Sequence, residues 1–244
     1  MSVVAISSGP WGLPEGIDTS CILSWTTKTL TPEPRLGNSG DALLECREGI
    51  LNRYGMPNRG IKRFLDEYEY FGVPTIVSIA GFDVEDISRL SRKLDKLEGI
   101  IGIELNVSCP NVHGMDAIPH VRSELPVSVK LSPCTVNLRQ RLTRIGGCGI
   151  DSIILSNSMP ILKDGVRWAM SGAPLKAISL RCVMDASEMT PLPIIGCGGI
   201  TTGKDVQEYI EAGATSVQVG SIHLNEPDAT TRITAEYMDL TSRA

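Results

Sequence analysis

Gly102-Ile103-Glu104-Leu105-Asn106-Val107-Ser108 reads as a buried strand built around the run Ile103-Glu104-Leu105, and it leads straight into Cys109-Pro110-Asn111. A thiol and two carboxamides therefore stand at the carboxyl exit of that strand. Seven further segments share its short, β-branched character: Val3 to Ser7, Ile22 to Lys28, Thr75 to Ala80, Val127 to Ser132, Ser152 to Asn157, Pro193 to Gly198, and Ser216 to Ser221. Most are apolar at consecutive positions, which is how strands of a parallel sheet look when helices cover it. Helical spacing of apolar residues intervenes at Ile61 to Phe71, Val84 to Leu97, Asn137 to Ile145, Leu175 to Ala186, Lys204 to Ala212 and Asp228 to Leu240. Gly99, Gly146, Gly147 and Gly213 close several of these helices. Eightfold alternation of strand and helix predicts an α/β fold, a (β/α)8 TIM barrel. The length of 244 residues fits one such domain spanning 1–244, since these barrels typically run to roughly 250 residues.

Composition narrows the function. A net charge of −5 and a pI near 5.3, with acidic and basic residues mixed along the chain, argue against nucleic acid as a partner. No apolar run is long enough to span a membrane, so no membrane partner is expected. The seven cysteines form no C-x-x-C pair, and Met1 is not followed by an export signal, so reduced thiols in a cytoplasmic protein are expected. Only three histidines occur, His113, His120 and His223, without ligand spacing, and no metal site is predicted.

Barrels of this kind carry their chemistry at the carboxyl ends of the strands. Those ends here are Ser8-Gly9, Lys28-Thr29, Asn106 to Asn111, Lys130, Asn157-Ser158, Gly198-Gly199 and Gly220-Ser221, polar or glycine at almost every exit. A lone Cys near a strand end more often packs as a small hydrophobe, whereas a thiolate between carboxamides can take a proton from carbon while the amides hold a flat polar ring. Lysine is rarely buried unless paired, so Lys28 and Lys130, each in a predicted core strand, call for an anionic partner. Gly198-Gly199 and Gly220-Ser221 follow the last two strands, where barrels commonly cradle a phosphate on backbone N–H groups. Gly198 to Lys204 also spells G-x-x-x-x-G-K, but Asp205 stands where a magnesium-binding hydroxyl is needed, so Thr201 to Asp205 reads as a helix cap.

In their shared order these residues resemble the class 1 dihydroorotate dehydrogenases, FMN-dependent barrels of pyrimidine synthesis. The resemblance is carried by Ser8-Gly9, Lys28-Thr-Leu-Thr31 through Pro34-Arg35 and Gly37-Asn38, and Asn52-x-x-Gly55-Met-Pro-Asn58. It continues through Asn106-Val-Ser-Cys-Pro-Asn111, Val129-Lys130-Leu-Ser-Pro133, Asn157-Ser158, Ser171-Gly172 with Lys176, Ile195-Gly-x-Gly-Gly-Ile200 and Gln218-Val-Gly-Ser221. It implies oxidation of dihydroorotate to orotate, with Cys109 as the base that removes the C5 proton while hydride passes from C6 to the flavin. It places Lys28 beside both flavin and substrate. Asn52, Gly55, Met56, Asn106, Asn111, Asn157 and Ser158 are implied to bind substrate. Ser8, Gly9, Lys28, Thr29, Asn106, Lys130, Ser171, Gly172, Gly198, Gly199, Gly220 and Ser221 are implied to bind FMN. Cysteine in place of serine at position 109 is the class 1 pattern. Relatives of this class act as homodimers that reduce fumarate, or pass electrons to a partner subunit carrying FAD and an iron-sulfur centre.

Several departures accompany the match. The chain begins almost directly at the first strand, Trp11 to Ser20 is too short for a full helix, about fifteen residues separate Asn111 from the fifth strand, and Pro160 to Met170 is short. A compact barrel with trimmed N-terminal and lid segments follows, with closure and water exclusion in question. The long stretch Thr31 to Asn58, rich in Pro and Gly, reads as a loop without structure of its own, the usual sign of a lid. Two alternatives stand beside the main reading: an FMN oxidoreductase for another dihydropyrimidine, and a degenerate barrel that binds flavin without catalysis. The barrel reading also expects Lys130→Ala to weaken flavin reduction more than folding.

Overall fold

The computed structural model describes residues 2–9, 18–46, 49–81, 84–108, 114–121, 123–133 and 137–243. In chain order the strands and α-helices are β1 (Val4–Ile6), β2 (Trp25–Thr26), β3 (Leu43–Cys46), β4 (Gly49–Asn52), α1 (Gly60–Glu67), β5 (Thr75–Ile79), α2 (Val84–Leu94), β6 (Ile100–Asn106) and α3 (Gly114–Ala117). They continue with β7 (Val127–Leu131), α4 (Leu138–Gly146), β8 (Ser152–Leu155), β9 (Met159–Lys163), β10 (Val166–Ser171), α5 (Lys176–Ser187), β11 (Ile194–Cys197), α6 (Gly203–Glu211), β12 (Ser216–Val219) and α7 (Ala229–Ser242). Eight strands close a parallel barrel in the order β1-β12-β11-β8-β7-β6-β5-β2. All eight segments read from the sequence supply these strands, and the ring closes between β1 and β2 at the pair Ile6 and Trp25. The question over closure is therefore answered in favour of a complete barrel.

Side-chain alternation divides each strand between two environments. On β6, Ile103 and Leu105 are fully buried against the helical layer, while Glu104 and Asn106 share the opposite, luminal face. On β7 the same period buries Val127, Val129 and Leu131 outward and turns Ser128 and Lys130 inward. Leu90 and Leu94 of α2, Leu142 and Ile145 of α4, Val183 and Ala186 of α5, and Ile233 of α7 complete the outer core. Fully burying one such Leu or Ile contributes about 1.5–3 kcal/mol. The main hydrophobic core is thus a shell between strands and helices, and the lumen holds a cluster of polar side chains.

The remaining strands form a second sheet. Its order is β3-β4-β10-β9, built from a hairpin that follows β2 and another that follows β8. Thr31 to Asn58 is therefore not a loop without structure, and Pro160 to Met170, though short, folds as strands of the second hairpin. The seam between hairpins pairs Asn52 with Ala169, Leu51 with Met170 and Ile50 with Ser171. Asn52 Nδ2 donates to the Ala169 carbonyl at 3.2 Å, and the Arg53 guanidinium lies 5.5 Å from the Trp168 ring centroid. Both hairpins leave from carboxyl ends of barrel strands, so the sheet stands at the end where a barrel carries its site.

Candidate active site at the carboxyl end of the barrel

The lumen is organised around Lys130, which is 3% exposed. Its ammonium donates to Ser7 Oγ at 3.0 Å, to Gln218 Oε1 at 2.9 Å, and to Glu104 Oε2 at 3.4 Å. Gln218 lies on β12, across the barrel from β7, so this contact spans the lumen. Its amide nitrogen in turn donates to Thr26 Oγ1 at 3.3 Å and to Glu104 Oε2 at 3.2 Å. Ser78 donates to the other Glu104 oxygen at 2.9 Å. Burial alone would push the Lys130 ammonium toward its neutral form, but the adjacent Glu104 carboxylate outweighs it and holds Lys130 above the ordinary lysine value.

Above this charged layer lies a layer of amides and hydroxyls. Thr29 Oγ1 stands 3.0 Å from Ser78 Oγ and accepts from Asn106 Nδ2 at 3.1 Å, which ties the two layers together. Ser8 Oγ is 3.5 Å from the same threonine. Ser108 Oγ donates to Asn106 Oδ1 at 2.7 Å and accepts from Asn157 Nδ2 at 2.6 Å. Asn157 Oδ1 accepts the Ser158 N–H at 2.8 Å. Residues from β1, β2, β6 and β8 thus converge although they are far apart in sequence.

The glycine-rich exits hold conformations that side chains resist. At Gly199, φ is +68°, and an added Cβ would sit 2.8 Å from the Lys176 nitrogen and 3.0 Å from the Gly172 carbonyl. Only a residue without a side chain fits there without strain. Just after β12, Gly220 leads into a 3₁₀ turn, Ser221 to Leu224. No hydrogen bond among the described residues takes up the peptide N–H of Gly199, Gly220 or Ser221. Free N–H groups on adjacent strand exits suit an anion such as the phosphate of a flavin nucleotide.

Two further side chains brace these turns. The Tyr209 hydroxyl donates to the Gly198 carbonyl at 2.7 Å. His223 Nδ1 stands 2.8 Å from the Gly220 carbonyl and its Nε2 2.8 Å from Thr230 Oγ1, an arrangement that suits a neutral ring donating through Nδ1. Burial holds its pKa below the usual histidine value. Thr201 to Asp205 is the cap its sequence suggests: Thr202 and Asp205 form a reciprocal capping box at the start of α6. Lys176, paired with Asp205 and Glu208, anchors that helix start.

Not every predicted residue joins the cluster. Cys109 and Asn111 lie outside the described residues. Lys28 is half-buried, with its ammonium 5.8 Å from the Tyr54 ring centroid. Asn52 is engaged in the sheet seam, Gly55 and Met56 occupy left-handed turn positions at φ +71° and +57°, and no hydrogen bond among the described residues links any of the three to Asn106 or Asn157. Asn58 serves the turn, accepting from the Thr31 and Gly60 N–H groups at 3.1 and 2.9 Å. Ser171 ends β10, and its carbonyl lies 2.5 Å from where a Cβ on Gly49 would be.

Glu104, Gln218 and Ser108 were not foreseen as site residues. Glu104 sits within a run taken as apolar, and the signal that could have exposed it is its two-residue offset from Asn106, which puts both on one face. No α-helix among the described residues is long and apolar enough to cross a membrane.

The profile of the dihydroorotate dehydrogenase family matches residues 6–240. The catalytic subunit of dihydroorotate dehydrogenase B (NAD(+)) from Endomicrobium trichonymphae is 39% identical over 227 residues, covering 82% of this chain and 74% of that protein. The subunit of the same name from Geotalea uraniireducens is 32% identical over 269 residues, covering 97% and 88%. Among solved structures, the dihydroorotate dehydrogenase of Eimeria tenella in complex with ferulenol superposes with a TM-score of 0.83 at 21% identity, over 99% of this chain and 82% of that one, a likeness of fold.

Proposed function

This chain belongs to the dihydroorotate dehydrogenase family, and on that footing we propose that it oxidises dihydroorotate to orotate in pyrimidine biosynthesis, with FMN as its cofactor. The observation that carries the reading is the stacking of two luminal layers. An ammonium fixed by Glu104, Gln218 and Ser7 lies beneath a cluster of Asn106, Ser108 and Asn157. The residues present fit the cofactor: Gly199, Gly220 and Ser221 would hold its phosphate, Lys130 its electron-rich ring edge, and Ser8, Thr29 and Asn106 the ring between. When bound, FMN supplies the acceptor for the hydride that leaves the substrate.

The protein's own residues divide the rest of the work. Cys109, the residue after Ser108 in the sequence, removes the proton at C5 as general base. Asn106 and Asn157 present carboxamides to the substrate ring, after exchanging bonds that they make with Ser108. A site whose amides are satisfied by ureide and carbonyl groups rejects analogues that leave them unpaired. Lys130 stabilises negative charge that arises next to it, and does so without reorganising, because three partners hold it beforehand. The name of the B-type relatives, catalytic subunit with NAD(+), supports passage of electrons onward to a separate subunit.

Anaerobic titration of the purified flavoprotein tests the assignment. Dihydroorotate should bleach the flavin absorbance in stoichiometric fashion, and dihydrouracil should not. Bleaching by both would point to a broader dihydropyrimidine oxidoreductase, and bleaching by neither to a barrel that binds flavin without catalysis.

A further inference from the structure

We propose that Glu104 is a positioning residue of the flavin site: by holding the Lys130 ammonium at one point of the lumen, it sets how readily the bound flavin accepts electrons. The inference rests on the reading above that Lys130 faces the flavin. Glu104 is fully buried between Ile103 and Leu105, and no step of the proposed reaction uses it. Its two oxygens accept three hydrogen bonds, from Ser78, Gln218 and Lys130. A buried ion pair is often no more stable than apolar residues of the same volume, so packing alone gives no reason for this one. Its geometry gives a reason: two of the groups that hold Lys130, Glu104 and Gln218, are also bonded to each other, which fixes the ammonium from two sides.

The charge itself depends on the same contact. Groups facing Lys130 are Glu104 from β6, Cys197 from β11, Gln218 from β12 and Ser7 beyond β1. Glu104 is the carboxylate among them. With it in place, Lys130 stays an ammonium throughout the working pH range. With an amide there instead, burial prevails at about pH 8, and the amine gains its proton as the pH falls or as negative charge appears beside it.

Midpoint potentials of the bound flavin, measured against pH, test this. Glu104→Gln should lower the potential at about pH 8 by at least tenfold in the equilibrium between oxidised and reduced flavin, about 30 mV for a two-electron couple. The difference should narrow toward pH 6, because the lysine of the variant then regains its proton. Lys130→Met should lower the potential at every pH. If Lys130→Met leaves it unchanged, the placement of Lys130 by the flavin is wrong and the inference falls with it. If Lys130→Met lowers the potential while Glu104→Gln matches the wild type in value and slope, the role of Glu104 is overturned and the proposed function stands. Should Glu104→Gln not fold, Glu104→Asp keeps the charge but withdraws it by one methylene. A smaller drop without added pH slope is then expected, and no drop would refute the role.

Discussion

Replacing Lys130 by Met would leave a carboxylate without its cation in the middle of the barrel. Glu104 is 0% and Lys130 3% exposed, so neither charge is screened by water. Breaking a buried pair from one side costs about 3–5 kcal/mol, because the remaining charge stays desolvated. For a chain of this size, roughly 2–4 °C of melting temperature accompany each kcal/mol, so a fall of roughly 6–20 °C is expected. The sequence-based expectation that loss of Lys130 weakens flavin reduction more than folding therefore has to be weighed against the buried Glu104 that such a change strands.

The assay is urea unfolding of the flavin-free protein, run as a double-mutant cycle with Glu104→Gln and with equal m-values as the condition for comparison. The double variant should lose less than the sum of the two single variants. Lys130 has a raised pKa in the folded protein, so its contribution is complete below the unfolded value near ~10.4 and is lost only as pH rises through the folded value. None of the lysine's own contribution should therefore be lost between about pH 6 and 9. A single-variant cost below about 1 kcal/mol, or strict additivity in the cycle, would refute the reasoning.

Cys109→Ala should keep its flavin yet slow reduction by dihydroorotate by about 10²–10⁴-fold in stopped flow, the usual share of a general base, and unchanged rate constants would exclude that role. Gly199→Ala forces a Cβ into a left-handed position 2.8 Å from the Lys176 nitrogen, so the ratio of flavin to protein after dialysis should drop; full retention would remove this glycine from the phosphate cradle. His223 is neutral in the fold with a lowered pKa, so the unfolded chain binds its proton first as pH falls below about 6.5, and stability declines from there downward. His223→Asn should flatten that part of the urea midpoint against pH, and parallel slopes for the two proteins would show that the ring titrates elsewhere.

The barrel was legible because its strands are apolar at successive positions and its helices are periodic, signals that need only local sequence. The second sheet was not, because its exposed strands carry no such mark. Leu162 of β9 is 70% exposed and Leu43 of β3 36%, and β4 finds its partner β10 more than a hundred residues away. The glycine turn at Gly198 and Gly199 was legible through its place after a barrel strand. The need of Lys130 for an anion was also legible, but the identity of that anion was hidden, because Glu104 is flanked by Ile103 and Leu105 and only its register on β6 reveals which way it faces. Asn52 makes one contact that local sequence could not reveal: its amide donates across the sheet seam to Ala169, more than a hundred residues away.

The seam between β4 and β10 joins two excursions that leave the cylinder at opposite points of the chain. Three residue pairs, one side-chain hydrogen bond and the stacking of Arg53 on Trp168 make them a single sheet. Displacing either half alone would break those contacts. A nick in either hairpin would therefore loosen the other, and an insertion tolerated in one would have to be matched by its distant counterpart.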